Sequence, residues 1–166
     1  IVVGIIDDRI KEMDCGWGFI LDGFPRTPEQ ACSLDKILAK SGEKVNSVIS
    51  LQVPDNKLEE RICGRWIHKS SGRSYHATFK PPTSKPAGQA AAKGNMFDDV
   101  TGEQLIQRAD DTPAALTKRL TKYHSETVPV LVHYGPTGVV CKVNGDQKPA
   151  DVTVELTKAL PNTRVD

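Results

Sequence analysis

Apolar and polar positions along this chain switch between two spacings, and the switches mark out helices and strands. Ile1, Val2, Val3, Ile5, Ile6, Ile10 and Met13 recur at helical spacing and predict a helix at the start. Gly18–Leu21 is a short apolar run closed by Asp22-Gly23, which predicts a buried strand. Thr27-Pro28-Glu29-Gln30 places a capping hydroxyl, a proline at the first helical position and an amide at the capping-box position. A helix therefore runs from there to about Lys40, with Gly42 as its stop. Val45–Val53 is rich in β-branched residues and predicts a second strand. Pro54-Asp55 opens a helix in which Leu58, Ile62 and Trp66 share one face while Arg61 and Arg65 lie on another.

Residues 67–100 lose the helical period and hold Ser, Gly, Pro, Tyr and His, as a small β-hairpin lobe or long loop would. Within them Ser84–Asn95 is Ala/Gly/Lys-rich and predicts a flexible stretch. Thr101-Gly102-Glu103-Gln104 repeats the capping-box pattern. Asp111–Val132, with Leu116, Leu120, Tyr123 and Val128 in step, predicts a long helix that ends or kinks at Pro129. Val139–Val143 predicts a third strand and Val152–Leu160 a closing helix. Strands separated by helices mean an α/β fold with a covered parallel sheet. Such sheets bind ligands at the carboxyl ends of their strands, and Asp22-Gly23 is expected at one of them. The expected division is a core of residues 1–66 and 101–166 with an inserted lobe, 67–100, that reads as a mobile cover.

Charge narrows the partners. The 166 residues carry 22 Lys+Arg against 21 Asp+Glu, which gives no broad footprint for nucleic acid or an anionic membrane. A phosphate ligand must be held by a few placed arginines. No apolar run approaches the roughly 18 residues of a membrane span. Ile1–Asp8 lacks the positive front of a targeting peptide and an initiator Met, so a piece of something longer is expected. Cys15, Cys32, Cys63 and Cys141 are scattered without a C-x-x-C pair and read as reduced thiols, which points to an intracellular setting. His68, His76, His124 and His133 show no triad or metal spacing.

The most specific chemistry lies in Asp22-Gly23-Phe24-Pro25-Arg26-Thr27. Asp-Gly alone is a common turn. The full string adds a guanidinium that can grip a phosphate bidentately and a carboxylate that can hold water around Mg²⁺. It is followed by Gln30, then Arg61-x-x-x-Arg65 and His68-x-x-Ser71-Gly72-Arg73-x-Tyr75-His76. Next come Phe79, Pro81-Pro82, Asp98-Asp99-Val100-Thr101-Gly102-Glu103, Arg108-x-Asp110-Asp111, Arg119 and Tyr123-His124. In this order, over residues 1 to about 160, the set resembles the adenylate kinases, and the lid strings resemble their long-lid subclass.

The resemblance implies a P-loop-type nucleotide kinase core, incomplete here, with a small β lid. It implies reversible phosphoryl transfer between ATP and AMP to give ADP, with Mg²⁺ carried on ATP through water near Asp22. Gly23, Phe24, Pro25 and Arg26 are then expected at the AMP phosphate and Gln30 at its adenine. Arg65, Arg108 and Arg119 are expected around the transferring phosphoryl group, with Arg61 binding substrate beside them. Ser74 and Tyr75 are expected as lid contacts to ATP, Lys148 beside the ATP adenine, and Asp110 and Asp111 as acids pairing with lid arginines. Where some relatives bind zinc through four cysteines, this chain has His68, Ser71, Asp98 and Thr101, which resemble the zinc-free lid tied by hydrogen bonds. A monomer without nucleic-acid or membrane partners, in cytoplasm or alternatively mitochondrion, is expected.

The 166 residues contain no G-x-x-x-x-G-K-[ST] string. The expectation is therefore an active longer parent, truncated at its N-terminus here, and an inactive isolated chain. The alternatives are an inert nucleotide-binding or interaction fragment, or a GTP:AMP phosphotransferase. A metal ribbon binding nucleic acid is disfavoured by the balanced charge and the absent cysteine pairs.

Overall fold

The computed structural model describes residues 1–160; residues 161–166, the tail of the expected core segment, lie outside the described residues. The chain forms two compact units, one from Ile1–Gln52 together with the chain from Thr121 onward, the other Val53–Leu120.

In the first unit α1 (Val2–Arg9) is followed by one 3-10 turn, Met13–Cys15. Helix α2 (Pro28–Lys40) starts where the capping residues place it. Thr27 accepts a hydrogen bond from the Gln30 N–H, and Pro28 occupies the first turn. It closes with the Gly42 N–H bonded to the Ala39 carbonyl and the Glu43 N–H to the Leu38 carbonyl, the paired bonds of a Schellman stop. Strand β1 (Val48–Gln52) pairs in parallel with β4 (Val140–Asn144), Val48 opposite Val140 and Gln52 opposite Asn144. Helix α6 (Pro149–Ala159) packs on β4, and α2 packs on α5 (Val128–Tyr134). Ala31, Val130 and Tyr134 are buried together, with Val45, Val48, Val139 and Val140 against them. Leu34 and Leu38 are each 2% exposed on the same helix as Ala31. A leucine buried to that degree contributes about 1.5–3 kcal/mol.

The second unit begins with α3 (Asp55–Cys63) and continues into β2 (Arg65–Ile67), which pairs antiparallel with β3 (Ser74–His76). Trp66, Tyr75, Met96 and Leu105 form its core. Helix α4 (Pro113–Lys122) follows.

Four expectations are corrected. Gly18–Leu21 is not a strand: residues 18–20 are exposed, Ile20 at 89%. Among the described residues β1 pairs only with β4, and an apolar run without a ladder partner gains nothing by extending as a strand. Asp22 therefore does not sit at a strand end. Arg65 and Trp66 are not on α3. The helix stops at Cys63, and pairing Trp66 with Tyr75 overrides the helical spacing. A Cβ on Gly64 would stand 2.3 Å from His76 Nε2, so the glycine admits the imidazole that contacts the Glu60 carbonyl at 3.0 Å. Thr101–Gln104 caps no helix. It closes a turn in which Asp98 N–H donates to the Glu103 carbonyl and Gly102 N–H to the Asp98 carbonyl. Ser84–Asn95 is tied at its base, where Ser84 Oγ donates to the Asn95 carbonyl and accepts from the Phe97 N–H. The long helix does break before Pro129, as α4, a π turn over Tyr123–Thr127, and α5.

Candidate functional site

The first unit builds Asp22–Thr27 as a fixed turn. Gly23 has φ +69, a left-handed backbone that favours glycine, and a Cβ there would stand 2.8 Å from Arg26 Nη2. Arg26 Nε donates to the Gly23 carbonyl at 2.6 Å. The Arg26 N–H donates to Gln30 Oε1 at 2.8 Å, and Thr127 Oγ1 donates to the Arg26 carbonyl at 3.1 Å. The Phe24–Pro25 peptide is cis, and both residues are half-buried. This holds the exposed Arg26 at the capped start of α2, in the same turn as the exposed Asp22. The Thr27 hydroxyl lowers the Glu29 carboxyl below its ordinary range, so the first turn stays anionic. Gln30, expected at an adenine, spends its amide oxygen on the Arg26 backbone. Lys148 caps α6 through its carbonyl, which accepts from the Asp151 and Val152 N–H groups, and its side chain is exposed.

The second unit gathers arginines around two adjacent acids. Arg65 on β2 forms a bidentate pair with Asp111, Nε to Oδ2 at 3.1 Å and Nη2 to Oδ1. The Asp111 side chain is fully buried, and its hydrogen bond to Arg65 raises the guanidinium pKa further. Asp110 meets Arg119 on α4 at 3.5 Å. The Asp111 N–H donates to the Arg108 carbonyl at 3.1 Å, so Arg108 belongs to the same turn. Gln107 Nε2 donates to the Cys63 carbonyl at 2.8 Å and ties that turn to the end of α3, the helix carrying Arg61. Arg65, Arg108 and Arg119 thus stand around Asp110 and Asp111, and guanidinium groups are the side chains that grip phosphate bidentately. The acids thus pair with Arg65 and Arg119, neither of which lies in the 67–100 lobe.

The hairpin lobe is held by a polar hub. Asp98 is 2% exposed and accepts from Arg73 Nε at 2.8 Å, Arg73 Nη2 at 2.7 Å and Tyr75 Oη at 2.9 Å. The Thr101 N–H and hydroxyl donate to it at 2.9 and 3.0 Å, and the Val100 N–H at 3.3 Å. Arg73 and then these donors hold the Asp98 carboxyl far below the usual carboxylate range. His68 bridges Ser71 at 2.7 Å and Glu103 at 2.6 Å. Burial pushes the Tyr75 phenol up, and its hydroxyl also accepts the Asp99 N–H, so Tyr75 props the lobe while Ser74 is exposed.

A profile of the family described as Adenylate kinase matches residues 1–139. The chain belongs to the adenylate kinase family. It is 52% identical over 160 residues to "Adenylate kinase 3" of Oryza sativa subsp. japonica, covering 96% of this chain and 62% of the relative. It is 46% identical to "Adenylate kinase 4" of Arabidopsis thaliana, with 96% of this chain and 61% of that protein covered. With "Adenylate kinase" of Kluyveromyces lactis the identity is 44% over 161 residues, 96% and 66% covered. The chain therefore spans about three-fifths of the length of the two plant adenylate kinases. No helix among the described residues is long and apolar enough to cross a membrane.

Of the residues marked in the sequence of this adenylate kinase family member, Gly23, Phe24, Pro25, Arg26 and Gln30 form one turn. Arg65, Arg108 and Arg119 attach to Asp110 and Asp111. One grouping has no counterpart in the sequence reading. Cys32 and Asp35 on α2 meet His133 and Tyr134 on α5, although 101 positions separate Cys32 from His133. No spacing rule reaches across that interval; only the packing of α2 on α5 reveals it.

Proposed function

We propose that these residues serve reversible phosphoryl transfer between ATP and AMP, giving two ADP, within a polypeptide that also carries a glycine-rich phosphate loop. The observation that carries the reading is the Asp110–Asp111 pair holding Arg65 and Arg119, with Arg108 in the same turn. Phosphoryl transfer needs in-line positioning and neutralisation of charge on the equatorial oxygens, and guanidinium groups supply both. Arg65 is already oriented by its bidentate partner, so little reorganisation is needed when phosphate arrives. Arg108 and Arg119 are exposed and bind the transferring group, and Arg61 adds a substrate contact. The Gly23–Arg26 turn grips the AMP phosphate, and Gln30 lies beside its base. The lobe with Ser74 and Tyr75 covers ATP, and Lys148 stands beside the ATP base.

Mg²⁺ travelling with ATP needs only one or two carboxylates besides substrate phosphates and water. Asp22, an exposed carboxylate in the turn that carries Arg26, fits that donor set. When bound, the ion neutralises charge on the phosphates.

The test is ADP formation from ATP and AMP by the polypeptide that carries both this chain and a phosphate loop. Arg119→Ala is expected to lower kcat by about 10²–10³-fold, the effect of deleting one donor to transition-state charge. Arg26→Ala is expected to raise the KM for AMP more than it lowers kcat. Unchanged rates in both would overturn the assignment, and faster turnover with GTP would reassign the donor. The 166 residues alone are expected to form no ADP, because they hold no loop for the ATP phosphates. Turnover by them would refute that part.

A further inference from the structure

Cys32 is the exposed cysteine of the four; Cys15, Cys63 and Cys141 are half-buried. It stands on α2 at the edge of the apolar stripe formed by Ala31, Leu34 and Leu38. Facing it across the helix pair is His133, with Nδ1 3.9 Å from Cys32 Sγ. The other imidazole nitrogen, Nε2, is 2.7 Å from Asp35 Oδ2, and Tyr134 Oη is 3.0 Å from Asp35 Oδ1.

The hydrogen positions follow from the chemistry of these partners. An ionised carboxylate only accepts, so both the Tyr134 hydroxyl and His133 Nε2–H donate to Asp35. Burial and then the Asp35 bond push the Tyr134 phenol up, so it keeps its proton at neutral pH. With Nε2 protonated, Nδ1 of neutral His133 carries the lone pair, and that lone pair belongs to the nitrogen nearest the thiol. The imidazole is further held edge-on against the Tyr134 ring, centroids 4.7 Å apart at 86°. Thiol, base and orienting carboxylate therefore stand in line, as nucleophile activation requires.

We propose that Cys32 is a reactive thiol that undergoes exchange with low-molecular-weight disulfides, with His133 as its base and Asp35 as the residue that positions His133. In the exchange the Cys32 S–H proton passes to His133 Nδ1, and the thiolate sulfur attacks one sulfur of the disulfide. A new S–S bond forms as the old one breaks, and the departing thiolate takes its proton back from His133. Cys32 is oxidised, one half of the reagent is reduced, and no other co-reactant is needed. The product is a mixed disulfide on the surface where α2 meets α5. Adenylate kinase chemistry does not call on these residues, so the site is independent of the phosphoryl-transfer reading.

The test treats the full chain with hydroxyethyl disulfide, a small neutral probe, and follows each cysteine by peptide mass spectrometry. Cys32 in the folded chain is expected to react about 10²-fold faster than in the same chain unfolded in urea, the lower end of general-base assistance. His133→Asn is expected to remove that advantage while the rates at Cys63 and Cys141 stay as they were. Asp35→Ala is expected to slow Cys32, and Asp35→Glu, which restores a carboxylate, to recover part of the rate. The proposal is overturned if folded Cys32 reacts no faster than unfolded Cys32, or if His133→Asn leaves its rate unchanged. Should His133→Asn fail to fold, the folded-against-unfolded comparison on the unsubstituted chain still decides.

Discussion

The two units of this chain are held by different kinds of interaction. Val53–Leu120 is organised around a buried charge: Asp98 takes five hydrogen-bond donations from Arg73, Tyr75 and Thr101, and four apolar side chains pack beside it. The other unit has helices laid on a two-stranded parallel sheet, with Ala31, Val130, Tyr134 and a ring of valines as its centre. Apolar packing is non-directional, so it tolerates shape change but fixes register weakly. A carboxylate shared among guanidinium, phenol and hydroxyl is directional, and a unit with two three-residue strands needs that direction to fix which loop meets which strand. Large apolar residues are exposed on both units, Met13 at 95%, Trp17 at 87% and Ile20 at 89% on the first and Val100 at 72% on the second.

The sharpest way to break the contrast is Asp98→Ala. It leaves the buried Tyr75 hydroxyl and the Arg73 guanidinium without their acceptor, and leaving such groups unpaired is costly. The expected outcome is loss of slow hydrogen exchange across β2, β3 and the Met96–Leu105 segment, with exchange on α2 unchanged. A melting shift below about 4 °C for the second unit would show that apolar packing, not the hub, holds it. The pH dependence has a definite sign. The folded-state carboxyl of Asp98 lies below its unfolded value of about 3.9, so its contribution is present above that value and is lost as pH falls further, through the folded-state pKa. Acid should therefore loosen the second unit only below about pH 4, and Asp98→Asn should abolish that dependence.

Legibility in the sequence followed the same division. His68, Ser71, Asp98 and Thr101 were marked as a set by the resemblance, and the structure joins them through hydrogen bonds. Helix α2 was readable from Thr27, Pro28 and Gly42 because its caps are local. Non-local pairing was not readable. Arg65 and Trp66 continue a helical spacing from Leu58, and nothing near them announces that Tyr75 and His76 will draw them into a hairpin. Thr101–Gln104 carries a helix-start pattern, but the buried Asp98 takes the Thr101 hydroxyl first. For the candidate site, the Arg26 turn was legible as one string. The meeting of Arg65 with Asp111, 46 positions apart, was not: the resemblance gave that acid to lid arginines, and Cys32 beside His133 came from neither string nor resemblance.

A smaller effect probes the apolar unit. Leu34 is 2% exposed, and Leu34→Ala removes buried methyl groups from a helix that also carries Ala31 and Leu38. Truncations of this kind cost about 2–5 kcal/mol, depending on how far the site collapses. Denaturant unfolding followed on α2 should show that loss, while the Trp66 environment in the second unit keeps its midpoint. If Trp66 shifted equally, the two units would unfold as one, and the division into a polar-held and an apolar-held part would have no energetic meaning.

The mildest perturbation separates capping from site-building. Thr27 accepts from the Gln30 N–H at 3.3 Å, and Gln30 in turn accepts from the Arg26 N–H, so the helix cap and the candidate phosphate turn share one residue. Thr27→Ala should cost about 1 kcal/mol in the first unit, the usual worth of a capping hydroxyl. Thr27→Ser keeps the accepting oxygen and should restore most of it. If Gln30 alone fixes the Arg26 backbone, phosphate affinity at Arg26 survives Thr27→Ala and falls in Gln30→Ala. If both substitutions weaken it equally, the cap and the grip are a single device, and the start of α2 orders the turn as a whole.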